Sequence, residues 1–191
     1  MNLAPEIAKP ATSTLLKRSH AIIIAGPAGV GKTAAAHYLK DALHAHLPWV
    51  VRYLSGDMYS HISFPWVANT EQLDRKYDCL CSSIEHLIRR DHNIILVMDD
   101  LFRRDEDWRR VLDALDRNGV SAQTFLLATE LPELLARNAK RTGFQKASED
   151  QIREAFRLSS LINWIPSISV SADQETDSVV KEILSLFLCK I

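Results

Sequence analysis

Cysteine is scarce in this chain. Three residues, Cys79, Cys81 and Cys189, cannot all pair, so a disulfide scaffold is excluded; small helical core residues in a reducing cytoplasm are expected. The C-x-C spacing also lacks the second half of a zinc site. An excess of one charge is missing too: 23 Lys and Arg face 24 Asp and Glu, a net charge of -1. No global field therefore draws the chain to nucleic acid or an anionic membrane, although a local basic groove is compatible with that balance. No apolar run approaches the roughly 20 residues that span a bilayer. Residues 1–18 hold Pro5, Pro10, Ala11, Thr12 and Ser13 but no apolar signal-peptide centre, which predicts a loose arm, with Lys17 and Arg18 in water, on a cytoplasmic protein. Repeats and low-complexity segments are absent. His44 and His46 lie two apart and face away from each other on a helix, so no metal is assigned to them.

What is present is an alternation. Apolar strand-like runs at 20–25, 49–54, 93–99, 121–127 and 167–171 are separated by amphipathic stretches at 32–46, about 70–90, about 104–118, 131–141, about 148–161 and 175–189. Pro132 suits a first helical turn, and Ser148 with Gln151 has capping-box spacing. The length suits one compact domain over 19–191. Strands alternating with helices predict an α/β fold in three layers: a five-stranded, mostly parallel sheet with helices on both faces. In such sheets ligands bind beyond the carboxyl ends of the strands.

After the first run stand Gly26, Pro27, Ala28, Gly29, Val30, Gly31, Lys32 and Thr33, a full match to G-x-x-x-x-G-K-[ST]. In this pattern loop amides and a helix N-terminus cradle phosphates, Lys32 reaches the β- and γ-phosphates, and the Thr33 hydroxyl takes one position on Mg²⁺. The strand before it and the helix after it are the context the motif needs, so a P-loop NTPase fold binding a nucleoside triphosphate with Mg²⁺ is expected; ATP is the expected nucleotide, with GTP left open by the motif. Other strand ends carry further chemistry. The third ends in Asp99 and Asp100; Asp99 continues the strand and is the better magnesium candidate, Asp100 would face the substrate, and the alternative is an acidic cap on the next helix. Asp57, after the second strand, is a candidate base for an attacking hydroxyl or an ordinary turn residue after Gly56. After the fourth, Arg137 and Arg141 share a helix face, with Gly143 as hinge of a lid over about 138–150; they form a basic lid or a solvated basic face.

Together these residues, with Asp99-Asp100-Leu101-Phe102, Leu134-Leu135-Ala136-Arg137 and the run from Ser148 to Ile152, resemble the small P-loop kinases. Within that group they look most like the branch holding chloramphenicol phosphotransferase, the phage polynucleotide kinase domain and the zeta toxins. The resemblance spans about 20–190. It implies phosphate and Mg²⁺ binding by Lys32 and Thr33, Asp57 as base, Arg137 near adenine, Arg141 near the transferring phosphate, and Ser171, Ala172 and Asp173 bordering adenine. Polynucleotide kinase-like members often carry Arg three residues after the Asp, where this chain has Ser60. A small-molecule acceptor is therefore expected over a nucleic acid end; a nucleotide-dependent switch is the reading from a different class. The oligomeric state stays open.

The segment 58–80 should line the acceptor pocket through Tyr59, His61, Phe64, Trp66 and Arg75. Phe64 and Trp66 form an aromatic wall there or anchor the segment to the core. Trp108 and Trp164 read as packing residues. Arg103 or Arg104 would meet an anionic acceptor, or else a solvated helix pairs with Asp105, Glu106 and Asp107.

Overall fold

A computed structural model of the protein describes residues 19–60, 70–91, 93–143, 146–160 and 166–191. The expected arm over 1–18, His61, Phe64 and Trp66 of the acceptor segment, Phe144 and Gln145 of the lid, and Trp164 lie outside the described residues.

Strands β1 (His20–Ala25), β2 (Val50–Ser55), β3 (Ile94–Asp100), β4 (Ser121–Ala128) and β5 (Ile168–Ser171) alternate with helices. These are α1 (Lys32–His46), α2 (Gly56–Ser60), α3 (Thr70–Arg90), α4 (Asp105–Arg117), α5 (Leu131–Ala139), α6 (Glu149–Ser160) and α7 (Thr176–Leu188). The strands pair in the order β2-β3-β1-β4-β5, every described pairing parallel. Each strand fell within a residue or two of its predicted run. The short helix α2 was not foreseen, and Asp57 sits in its first turn rather than in an open turn.

Side chains alternate along each strand, so β1 divides its residues between two cores. Ile22 and Ile24 join Ala35, Leu39, Leu43, Ile183 and Phe187 on one face. Ala21, Ile23 and Ala25 join Leu73, Leu80, Ile84, Val111 and Leu115 on the other. Helices α1 and α7 therefore cover one face and α3 and α4 the opposite one. Being buried on both sides, β1 and β3 have no exposed residue, as expected of central parallel strands.

The register brings the strand ends level. Ala25 pairs with Asp100 and with Leu126, Ser55 with Asp99, and Ala128 with Ser171. The segments leaving these strand ends thus meet on one rim of the sheet. Phe102, just past β3, is a fully buried non-glycine residue at φ 46°. It is held there against Tyr77 and Trp108, at ring-centroid distances of 6.1 and 5.1 Å. Trp108 is a packing residue, as expected.

Candidate active site

The loop from Gly26 to Gly31 turns sharply because its three glycines, Gly26, Gly29 and Gly31, take conformations that other residues avoid. Gly26 has φ 145°, and a Cβ there would lie 2.7 Å from the Leu127 carbonyl oxygen. Gly31 has φ 102° and caps α1, accepting at its carbonyl the first helical hydrogen bond, from Ala35 N at 2.9 Å. The first turn of α1 holds no acidic side chain, which leaves its positive end open to an anion.

Lys32 is buried, and among the described residues Nζ donates one hydrogen bond, to Pro27 O at 3.0 Å. Burial pulls its pKa below the usual lysine value, while the charges of Asp57, then Asp99, then Asp100 hold the ammonium. A buried cation with no carboxylate in direct contact leaves N–H groups for an external anion. Asp57 is exposed on α2 and is the acid with the strongest pull on Lys32.

Asp99 and Asp100 point to opposite faces, as neighbours on a strand must. On the α1 face, Thr33 Oγ1 donates to Asp99 Oδ2 at 2.6 Å and the Tyr53 hydroxyl donates to Asp99 Oδ1 at 2.8 Å. Asp99 is 2 % exposed. Burial and the Asp99 charge push the Tyr53 phenol well above its ordinary pKa. On the α3 face, Asp100 receives hydrogen bonds from Lys76 Nζ at 2.7 Å and the Tyr77 hydroxyl at 2.8 Å. The expectation that Asp100 faces the substrate is therefore corrected: it is half of a buried ion pair. A Cβ on Gly56 would run into its carboxylate. Lys76 went unnoticed in the sequence, although a cation between Leu73 and Leu80 on the buried stripe of α3 was a readable signal that an acid stands opposite.

The donor set on the α1 face suits magnesium. A threonine hydroxyl and an aspartate are hard oxygen groups, and Mg²⁺ keeps most of its shell as waters and phosphate oxygens. Thr33 and Asp99, joined by a hydrogen bond of 2.6 Å, are the residues that would hold it.

On the other side of the loop lies a cavity of about 440 Å³, lined in part by Gly29, Gly31, Arg137, Arg141 and Ala172. Arg137 crosses it, donating to Ala172 O at 2.6 Å, Val30 O at 3.4 Å and Glu133 Oε1 at 2.7 Å. The guanidinium of Arg141 lies over the loop, with Nη1 3.9 Å from where a Gly29 Cβ would be. The two arginines do not share a helix face, because α5 ends at Ala139 and Arg141 lies beyond it. The chain turns there as Arg141 N donates to Asn138 O, and the buried Asn138 side chain exchanges hydrogen bonds with Ala147 O and N at 2.8 and 3.0 Å. Gly143 between them has φ 60°. Past Ala147, Ser148 and Gln151 form the reciprocal capping box their spacing predicted.

Of the two roles expected for Arg104 the structure shows the second, with ion pairs to Asp74, Glu106 and Asp107 at 2.5–2.8 Å. Arg75 is exposed and pairs along its own helix with Glu71. The three thiols are free; Cys79 and Cys81 are half-buried and Cys189 is exposed, so the last is no core residue.

Comparison with known proteins places this geometry. The model of the family described as AAA domain matches residues 22–159. Among solved structures, a gluconokinase from Sinorhizobium meliloti 1021 superposes with a TM-score of 0.66 at 14% identity, over 88% of this chain and 91% of that one. The Mycobacterium tuberculosis APS kinase CysC, in complex with AMPPNP and APS, gives 0.69 at 16% identity over 90% and 99%. The tunicamycin resistance protein of Deinococcus radiodurans gives 0.62 at 17% over 88% and 95%. At such identities the likeness is one of fold. No curated protein matches the chain.

Proposed function

The chain belongs to the AAA domain family, whose model spans residues 22–159, and from that premise we propose that it is an ATP-dependent phosphotransferase. It moves the γ-phosphate to a hydroxyl of a small organic acceptor of antibiotic, sugar or nucleoside type, in the cytoplasm. The observation that carries this reading is a buried Lys32 at the end of the phosphate loop, with one hydrogen bond among the described residues, together with an exposed carboxylate, Asp57, in the first turn of α2 on the same rim of the sheet. A pure phosphate-binding module needs the first and not the second. The names of the fold neighbours, gluconokinase and APS kinase among them, support the same class. The residue pattern favours the chloramphenicol phosphotransferase, polynucleotide kinase and zeta toxin branch.

The chemistry is set by the positions. The loop amides of Gly26 to Gly31 and Lys32 bind the triphosphate, and the cavity beside Arg137 and Ala172 takes the base. Thr33 and Asp99 would hold Mg²⁺, which would supply charge neutralisation to the triphosphate. Asp57 accepts the proton of the acceptor hydroxyl as its oxygen bonds to the γ-phosphorus. The bond from that phosphorus to the β–γ bridging oxygen breaks, and ADP leaves. Arg141 faces the charge that spreads over the equatorial oxygens. No described helix is long and apolar enough to cross a membrane, and the acceptor reaches the rim from solvent.

A screen of sugars, nucleosides, antibiotics and oligonucleotides for acceptor-dependent ATP consumption tests the proposal. Some small hydroxyl compound raises ATP consumption, and Asp57→Asn lowers that turnover about 10²- to 10⁴-fold with nucleotide affinity unchanged. ATP consumption indifferent to every acceptor, or full turnover in the Asn variant, contradicts it.

A further inference from the structure

Resting on that reading, we propose that Tyr53 is a positioning residue for the magnesium site, fixing the Asp99 carboxylate through its hydroxyl. Asp99 is gripped at both oxygens, by Thr33 from α1 and by Tyr53 from β2, at 2.6 and 2.8 Å. Thr33 alone leaves the carboxylate free to swing about its Cβ–Cγ bond. The second hydroxyl, arriving from a different element, sets the plane of the group.

The sheet dictates this meeting. Ser55 pairs with Asp99 and Tyr53 with Val97, so alternation puts Tyr53, Ser55 and Asp99 on the same face, the one covered by α1. Tyr53 is neither on the rim nor in the loop: it stands one strand over, reaching diagonally to the acid. Its ring rests on His37, four residues beyond Thr33 on α1, with centroids 4.4 Å apart. That contact fixes the ring from the helix that carries the metal-binding threonine. A phenylalanine would serve the packing equally well. The hydroxyl belongs to the polar cluster around the carboxylate, with the Ser55 and Thr33 hydroxyls beside it, and partners that orient a metal ligand typically matter about 10- to 100-fold in metal affinity.

The test reads metal binding directly, with Mn²⁺ as a spectroscopic stand-in for Mg²⁺ and AMPPNP as nucleotide. Electron paramagnetic resonance of free Mn²⁺ gives the metal dissociation constant of the protein–nucleotide complex. Tyr53→Phe keeps the ring contact and is expected to weaken Mn²⁺ binding about tenfold, while AMPPNP affinity in EDTA stays within about twofold. Arg52→Gln, on the same strand, removes the ion pair with Asp91 and reports what mere loosening of β2 does; it leaves the Mn²⁺ constant unchanged. Wild-type Mn²⁺ affinity in Tyr53→Phe, or the same loss in Arg52→Gln, overturns the proposal. A wild-type protein that binds AMPPNP with no Mn²⁺ at the site overturns the functional reading along with it.

Discussion

Lys32 carries the sharpest consequence at the scale of single residues. Burial lowers its pKa in the folded protein from 10.5, so between the lowered value and 10.5 the unfolded chain holds a proton that the folded one has released. Folding stability without nucleotide therefore gains from this residue as pH rises through that window. Nucleotide binding has the opposite sign, since phosphates favour the ammonium and binding must take the proton back up. We expect AMPPNP affinity to fall as pH climbs toward 10.5, and to be weak and flat across the same range in Lys32→Met. Titration calorimetry in buffers of different ionisation enthalpy measures the proton uptake; a flat wild-type profile contradicts the assignment.

Among elements, the connection from α5 to α6 has its two ends tied together by one buried side chain. Asn138 is 4 % exposed and closes a ring with both backbone groups of Ala147, pinning the two ends of a connection that contains Gly143 and Arg141. Asn138→Ala strands a buried N–H and C=O. It should cost about 1–3 kcal/mol in urea unfolding and raise the AMPPNP dissociation constant, because Arg141 no longer returns to the loop. Unchanged stability would mean that the ring is ornamental. The capping box at Ser148 and the first-turn Pro132 were legible beforehand because both act within four residues. Asn138 was not, because a buried asparagine facing a backbone nine residues on leaves no local periodicity. The same limit explains Tyr53, whereas for Lys76 the helical spacing shows a buried cation but not which acid it meets. The sequence shows that Asp99 and Asp100 end a strand, and alternation along that strand already separates their faces. Which hydroxyl and which ammonium meet them depends on pairing across β2 and α3, and that is settled only by the sheet order.

Across the whole molecule, β1 sits between β3 and β4, which brings the loop of Gly26 to Gly31 between Asp99 at the end of β3 and the segment after β4 that carries Arg137 and Arg141. α/β alternation and the loop motif made this architecture readable, down to strand ends within one or two residues. The acceptor segment was readable only as a location. Acceptor specificity was expected from the shape of 58–80, of which 61–69 lies outside the described residues, and short motifs do not encode pocket shape. The two cores divide labour as well: the α1 face holds Lys32, Thr33, Tyr53 and Asp99, and the α3 face holds the Lys76–Asp100 pair beneath Gly56. That buried pair lies directly under the turn that presents Asp57. A crystal structure with Mg²⁺ and AMPPNP decides whether Asp57 faces a triphosphate seated on Lys32. Expected there are the γ-phosphate on Lys32, the metal between Thr33 and Asp99, and the Asp57 carboxylate across from the γ-phosphorus with room between them for one hydroxyl. A carboxylate turned away from the phosphate, or that space filled by packed side chains, would contradict that role for Asp57.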